Sequence, residues 1–137
     1  MKIYLVRHGE SQSNYDKKQG NNYFCGQLDV PLTEKGTRDA QFLQSYFDKH
    51  HVQQIYLSDL QRTRQTYNAI FDKDIPAQPT ALLRERSLGI FEGLHVADVE
   101  QQASMRIILM MTILKILDIV LLKKHLMAKV MKTYQHV

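Results

Sequence analysis

The chain is 137 residues long, with 44% hydrophobic and 23% charged residues, six Gly, three Pro and one Cys. That profile suits a single globular domain able to bury a core, and it excludes collagen-like, disordered and disulfide-stapled classes. The formal net charge of +4 belongs to one end: residues 1–104 carry 12 Lys+Arg against 13 Asp+Glu, and residues 105–137 carry six against Asp118 alone.

The apolar run Lys2 to Val6, with β-branched and aromatic members, predicts a buried strand. The polar stretch Gly9 to Tyr23 holds a short helix and then a loop. Thr33 offers an N-cap, after which Ala40, Leu43, Tyr46 and Phe47 recur at helical spacing. Val52 to Leu57 reads as a second strand. Ser58 is placed to cap the next helix, whose apolar face is Leu60, Thr63, Tyr67 and Ile70. Ile75-Pro76 ends it, and Thr80 to Leu83 reads as a third extended segment. Alternating strand and helix at these lengths implies an α/β fold with a mainly parallel sheet.

In such sheets ligands sit beyond the carboxyl ends of the strands. The first strand runs into Arg7-His8-Gly9-Glu10-Ser11, so a histidine stands at that edge with a guanidinium fork beside it. The second ends at Ser58, with Arg62 one helical turn on. The third ends at Arg84-Glu85-Arg86, a carboxyl between two guanidiniums. A histidine, several arginines and one carboxyl suit phosphoryl transfer through a phosphohistidine. The arginines balance the phosphoryl charge and the carboxyl protonates the leaving oxygen.

Leu5-Val-Arg-His-Gly-Glu-Ser11 resembles the signature of the histidine phosphatase superfamily, which includes cofactor-dependent phosphoglycerate mutases. Further blocks follow in the family's order: Asn14; Cys25-Gly26 through Leu32-Thr33 to Gly36; Ser58 to Thr66 with Arg62; and Leu83-Arg-Glu85 to Glu92-Gly93. The resemblance covers about residues 1–100. It implies a partial three-layer α/β/α sandwich, and it implies roles for particular residues. His8 would be the nucleophile, Arg7 and Arg62 would clamp the phosphoryl oxygens, and Asn14 would donate a hydrogen bond. Glu85 would give a proton to the leaving alcohol and then activate water, and Cys25 and Gly26 would lie on the substrate side. No metal or organic cofactor is expected.

Each residue also has a plainer reading. His8 alone could be a structural histidine, Arg62 a solvated helix residue, and Glu85 half of a surface ion pair. Cys25 is a small loop residue with no redox role. His50-His51 and Glu92-x-x-His95 have metal-ligand side chains but lack a third partner. The four ordered blocks favour the catalytic readings for His8, Arg62 and Glu85.

After Gln102 the family pattern stops. Relatives continue to a strand ending in a second His-Gly, and His125 and His136 do not supply one. Residues 105–137 are an apolar, basic tail in which 19 of 33 residues are Ile, Leu, Met or Val. Ile107 to Leu122 contains Lys115 and Asp118, which makes it a poor membrane span. An out-of-frame reading fits better: joining the third base of each codon to the next two forces acidic residues and a glycine back into the tail.

The expected domains are therefore 1–104, an N-terminal portion of a histidine phosphatase domain, and 105–137, a tail foreign to the family. The expected function is a phosphomonoester phosphatase acting on a small phosphorylated metabolite, weakened by the loss of its second half. Phosphoglycerate mutase is one alternative, and a non-catalytic protein with a membrane- or partner-binding tail is another. No nucleic-acid partner is expected, and no oligomeric state is implied. The start MKIYLVRHGE shows no signal-peptide pattern, so the expected compartment is the cytoplasm.

Overall fold

The computed structural model describes residues 2–71, 75–102 and 104–113. They fall in two units, residues 1–96 and 97–137. In the first, strands β1 (Ile55–Ser58) and β2 (Ala77–Thr80) pair in parallel, with Ile55 opposite Ala77 and Ser58 opposite Thr80. A parallel pair needs a crossover, and helix α4 (Gln61–Ile70) lies between the two strands in the chain.

Three further helices precede β1: α1 (Gln12–Lys18), α2 (Glu34–Gln41) and α3 (Gln44–Phe47). The Thr33 hydroxyl accepts the Gly36 N–H at 2.9 Å, the cap expected of that residue. Helix α1 starts in a capping box, with Ser11 accepting the Asn14 N–H and Asn14 Oδ1 accepting the Ser11 N–H. Ala40, Phe47 and Ile70 form the core where α2, α3 and α4 meet, flanked by Val52, Ala69 and Phe71. Burying the larger of these side chains stabilises the fold by about 1.5–3 kcal/mol each.

Two glycines let the segment before α1 cross α2 backbone to backbone. A Cβ on Gly36 would lie 2.1 Å from the Glu10 carbonyl oxygen, and one on Gly9 would lie 2.4 Å from the Gly36 oxygen. Thr33 N–H donates to the Glu10 carbonyl at 2.9 Å, and Gln12 N–H to the Pro31 carbonyl at 2.8 Å, fastening the crossing.

Several sequence expectations are corrected. Lys2 to Val6 is not a buried strand: it has no ladder partner among the described residues, and Leu5 is 95% exposed. A strand needs a neighbour to take its backbone groups, and among the described residues β1 pairs only with β2. Tyr4 instead meets Tyr46, Phe47 and His50 edge-on. The helix read through Ala40, Leu43, Tyr46 and Phe47 is two pieces, α2 and α3, parted at Phe42 and Leu43. The third extended segment ends at Thr80, and Ala81–Leu83 forms a 3-10 turn in which the Thr80 hydroxyl accepts the Leu82 N–H at 3.2 Å.

Of the apolar face expected for α4, Leu60 and Ile70 are buried while Thr63 and Tyr67 are only half-buried, and the stripe between them is completed by Arg62 and Thr66. Periodicity alone could not anticipate an arginine leading a buried stripe, because that depends on what its guanidinium meets. Ser58 does not cap α4, whose N-cap is Leu60. Its hydroxyl accepts the Leu60 N–H at 3.3 Å, one step earlier.

The second unit is described over residues 97–102 and 104–113, which include most of α5 (Val96–Gln101). Ile107, Met110 and Met111 are exposed there. The part of the tail beyond residue 113 lies outside the described residues. No helix among the described residues is long and apolar enough to cross a membrane.

Candidate active site

A cleft of about 240 Å³ is lined by Arg7, His8, Asn14, Cys25, Gly26, Arg62 and Glu85, with Ser11, Ser13, Arg86 and Leu88 completing it. All seven residues singled out from the sequence thus border one space, although they come from four separate stretches of chain.

His8 is half-buried, and its Nδ1 lies 2.7 Å from the Gly9 carbonyl oxygen. A carbonyl can only accept, so this contact places the proton on Nδ1 and leaves the Nε2 lone pair free. Burial pushes the imidazole below the usual histidine range. The Gly9 carbonyl opposes this, the Arg62 and Arg7 charges add to the lowering, and Glu85 opposes it weakly. A neutral ring with a free nitrogen is the form in which histidine attacks an electrophile.

Arg62 is buried to 4% exposure yet fully accounted for at two of its nitrogens. One Nη donates to the Leu28 carbonyl at 2.8 Å and the other to the Gly26 carbonyl at 3.1 Å. A buried guanidinium without such partners would be costly, and these two carbonyls fix its plane at the cleft wall. Asn14 spends its Oδ1 on Ser11. Gly26 has φ +47°, the left-handed region, and a Cβ there would meet Glu92 Oε1 at 2.5 Å. Arg7 and Glu85 are exposed at the mouth of the cleft.

The picture of Glu85 between two guanidiniums is corrected. Arg84 turns to Asp59, with Nε–Oδ1 at 2.6 Å and Nη–Oδ2 at 2.5 Å, a fork-to-fork pair. Among the described residues, Glu85 Oε1 accepts only the neighbouring Arg86 backbone N–H, at 3.1 Å. Its carbonyl accepts the Gln27 side-chain amide at 2.9 Å.

Sequence reasoning missed four supporting residues: Asp59, Gln27, Thr66 and Glu92. All four stood inside the family-like blocks, so block position was the available signal. Glu92 was weighed only as a weak metal ligand, whereas its Oε1 accepts from Gln27 N–H, Leu88 N–H and the Ser87 hydroxyl. Those backbone bonds hold its carboxyl below the usual range. His95 meets the Tyr23 ring edge-on, and His50 stacks on Tyr46. Among the described residues no cluster of three or more His, Cys, Asp or Glu could hold a metal ion. A larger hollow, about 630 Å³ and lined by Glu10, Tyr15, Lys18 and Lys35 among others, has its lining charges paired, Glu10 with Lys18, Lys35 with Asp39 and Glu34 with Arg38.

Comparison with known proteins matches residues 3–109 to the histidine phosphatase superfamily, branch 1. The chain is 38% identical over 99 residues to the probable phosphoglycerate mutase GpmB of Enterobacter sp. (strain 638), covering 70% of this chain and 43% of that one. It is 30% identical over 103 residues to the adenosylcobalamin/alpha-ribazole phosphatase of Escherichia coli (strain K12), covering 74% and 47%. The crystal structure of the alpha-ribazole phosphatase from Shigella flexneri superposes with a TM-score of 0.64 at 29% identity, covering 72% of this chain and 47% of that one. The chain therefore spans about half the length of the relatives it matches.

Proposed function

Since the chain belongs to the histidine phosphatase superfamily, we propose that it carries the phosphoryl-accepting half of a phosphomonoester phosphatase. The observation that carries this reading is the His8 ring, with Nδ1 tied to the Gly9 carbonyl, so that Nε2 keeps the lone pair, at a cleft that also holds Arg7 and Arg62.

In the first step the Nε2 lone pair of His8 attacks phosphorus and the bond to the leaving oxygen breaks. Glu85, at the mouth of the same cleft, gives that oxygen its proton. Arg7 and Arg62 balance the three equatorial oxygens, with Asn14 at the cleft wall donating a hydrogen bond. In the second step Glu85 takes a proton from water, whose oxygen attacks phosphorus and breaks the N–P bond. Inorganic phosphate leaves and His8 is restored. Cys25 and Gly26 border the space that the rest of the substrate occupies. A small phosphorylated metabolite fits a cleft of this size, in keeping with the phosphoglycerate and ribazole compounds in the relatives' names.

The mutase reading returns the phosphoryl group from His8 to a phosphoglycerate rather than to water. Its support is the likeness to a probable phosphoglycerate mutase. Hydrolysis is favoured by the exposure of Glu85, which leaves water free to reach the acid-base group. No second His-Gly occurs in the 137 residues, so the activity of the chain alone is weak on this reading. The deciding experiment incubates the chain with a panel of phosphomonoesters, with and without phosphoglycerate. Release of inorganic phosphate in both arms supports the phosphatase. Phosphoryl transfer to phosphoglycerate without release supports the mutase, and neither product from any ester contradicts both.

A further inference from the structure

One carboxylate oxygen ties together two of the loops that line the cleft. Glu92 Oε1 accepts the Gln27 N–H at 3.0 Å on one side. On the other it accepts the Leu88 N–H at 2.9 Å and the Ser87 hydroxyl at 3.3 Å. The same oxygen lies where a Gly26 Cβ would be, 2.5 Å away, so the Gly26–Gln27 peptide rests directly on it.

That peptide is the one whose carbonyl, at Gly26, receives an Arg62 Nη at 3.1 Å. A peptide unit is rigid, so fixing the N–H at Gln27 fixes the direction of the Gly26 C=O and with it one corner of the Arg62 guanidinium. The Leu88 and Ser87 bonds anchor the loop that carries Glu85. Gln27 adds a second tie, its side-chain amide donating to the Glu85 carbonyl at 2.9 Å. Glu92 itself does not line the cleft.

We propose that Glu92 is a positioning residue, which sets the Arg62 guanidinium and the Glu85 loop at their working separation by holding the Gly26–Gln27 peptide and the 87–88 backbone on one carboxylate oxygen. This rests on the phosphatase reading of the cleft. Glu92 touches no reacting atom. Its effect reaches a bound oxyanion through Arg62, and that route distinguishes positioning from mere support of the fold.

The test is calorimetric titration with orthovanadate, a phosphoryl mimic that needs no turnover. The proteins are the full chain and its Glu92→Ala, Glu92→Gln, Arg62→Met and Glu92→Ala/Arg62→Met variants, with Ile70→Val as a core control and the folded fraction read by NMR. Glu92→Ala is expected to weaken vanadate about tenfold in the folded protein, a coupling of ordinary size for groups in one network. Glu92→Gln, which keeps one carbonyl acceptor, loses less. In the Arg62→Met background, Glu92→Ala adds nothing, while Ile70→Val lowers stability without changing vanadate affinity. Unchanged affinity in folded Glu92→Ala, or losses that simply add in the double variant, overturns the proposal. Where Glu92→Ala does not fold, the Glu92→Gln and Glu92→Gln/Arg62→Met pair decides by the same criterion. A wild-type chain that fails to bind vanadate overturns the phosphoryl site itself and this proposal with it. Wild-type binding with an inert Glu92 overturns this proposal alone.

Discussion

The Thr66 hydroxyl accepts the Gly9 backbone N–H at 3.0 Å and donates onward to the Arg62 carbonyl at 2.8 Å. Residues 57 apart in sequence are thereby joined, and the backbone next to His8 is referenced to the helix that carries Arg62. Thr66→Val keeps the shape and removes the acceptor, leaving the Gly9 N–H unpaired in a half-buried place. The expected cost is about 1–3 kcal/mol in denaturant unfolding, with Thr66→Ser restoring most of it. Equal stability of the valine variant and the wild type would show that the link is idle.

The protonation of His8 gives a second prediction. Burial and the two arginines hold its pKa down, so the folded ring stays neutral at pH values where a free histidine, at about 6.5, is already taking up a proton. As pH falls through that value the unfolded chain binds the proton first, so stability is lost from about pH 6.5 down to the lower folded-state value. An NMR titration of the His8 ring should give a midpoint below the ordinary one. Arg62→Met should raise it, since one lowering charge is removed; a midpoint that stays put or falls would contradict the electrostatic account.

Gly26 combines a left-handed φ of +47° with the Glu92 carboxylate where a side chain would begin. Gly26→Ala therefore meets backbone strain and a displaced Glu92 together. A destabilisation of about 1–3 kcal/mol is expected, together with weaker vanadate binding. The same substitution at Gly20, which has positive φ but open space around it, should cost stability and leave vanadate unaffected.

Glu85→Gln separates proton donation from electrostatics. Aryl phosphates leave without help, whereas alkyl phosphates need a proton on the departing oxygen. Hydrolysis of an alkyl ester should fall at least tenfold more than that of an aryl ester. Stability should move by less than about 0.5 kcal/mol, because the side chain is exposed. An equal loss on both esters would remove Glu85 from the proton-donor role.

Much of the cleft was legible in the sequence because its residues sit in short, dense blocks whose order survives without any knowledge of packing. The Thr33 cap and helix α1 were readable for a similar reason, since local hydrogen bonds decide them. Lys2 to Val6 failed where a local pattern was asked a non-local question: β-branched residues allow a strand, but only a neighbouring strand makes one. The α4 stripe was legible at Leu60 and Ile70 but not at Arg62, which is buried by virtue of two distant carbonyls, at Gly26 and Leu28. Glu92 was underrated for the same reason. Its three donors, at Gln27, Ser87 and Leu88, converge only once the chain has folded.

The most direct test of the central claim is to look for phosphate on His8. The chain is incubated with an aryl phosphate, quenched in alkali to preserve a phosphoramidate, and read by phosphorus NMR and peptide mass spectrometry. The account predicts an acid-labile phosphoryl group on His8, attached at Nε2 because Nδ1 is committed to the Gly9 carbonyl, and absent from His8→Ala. Phosphate release by His8→Ala at the wild-type rate, or a phosphoryl group at Nδ1 or on another residue, would contradict it.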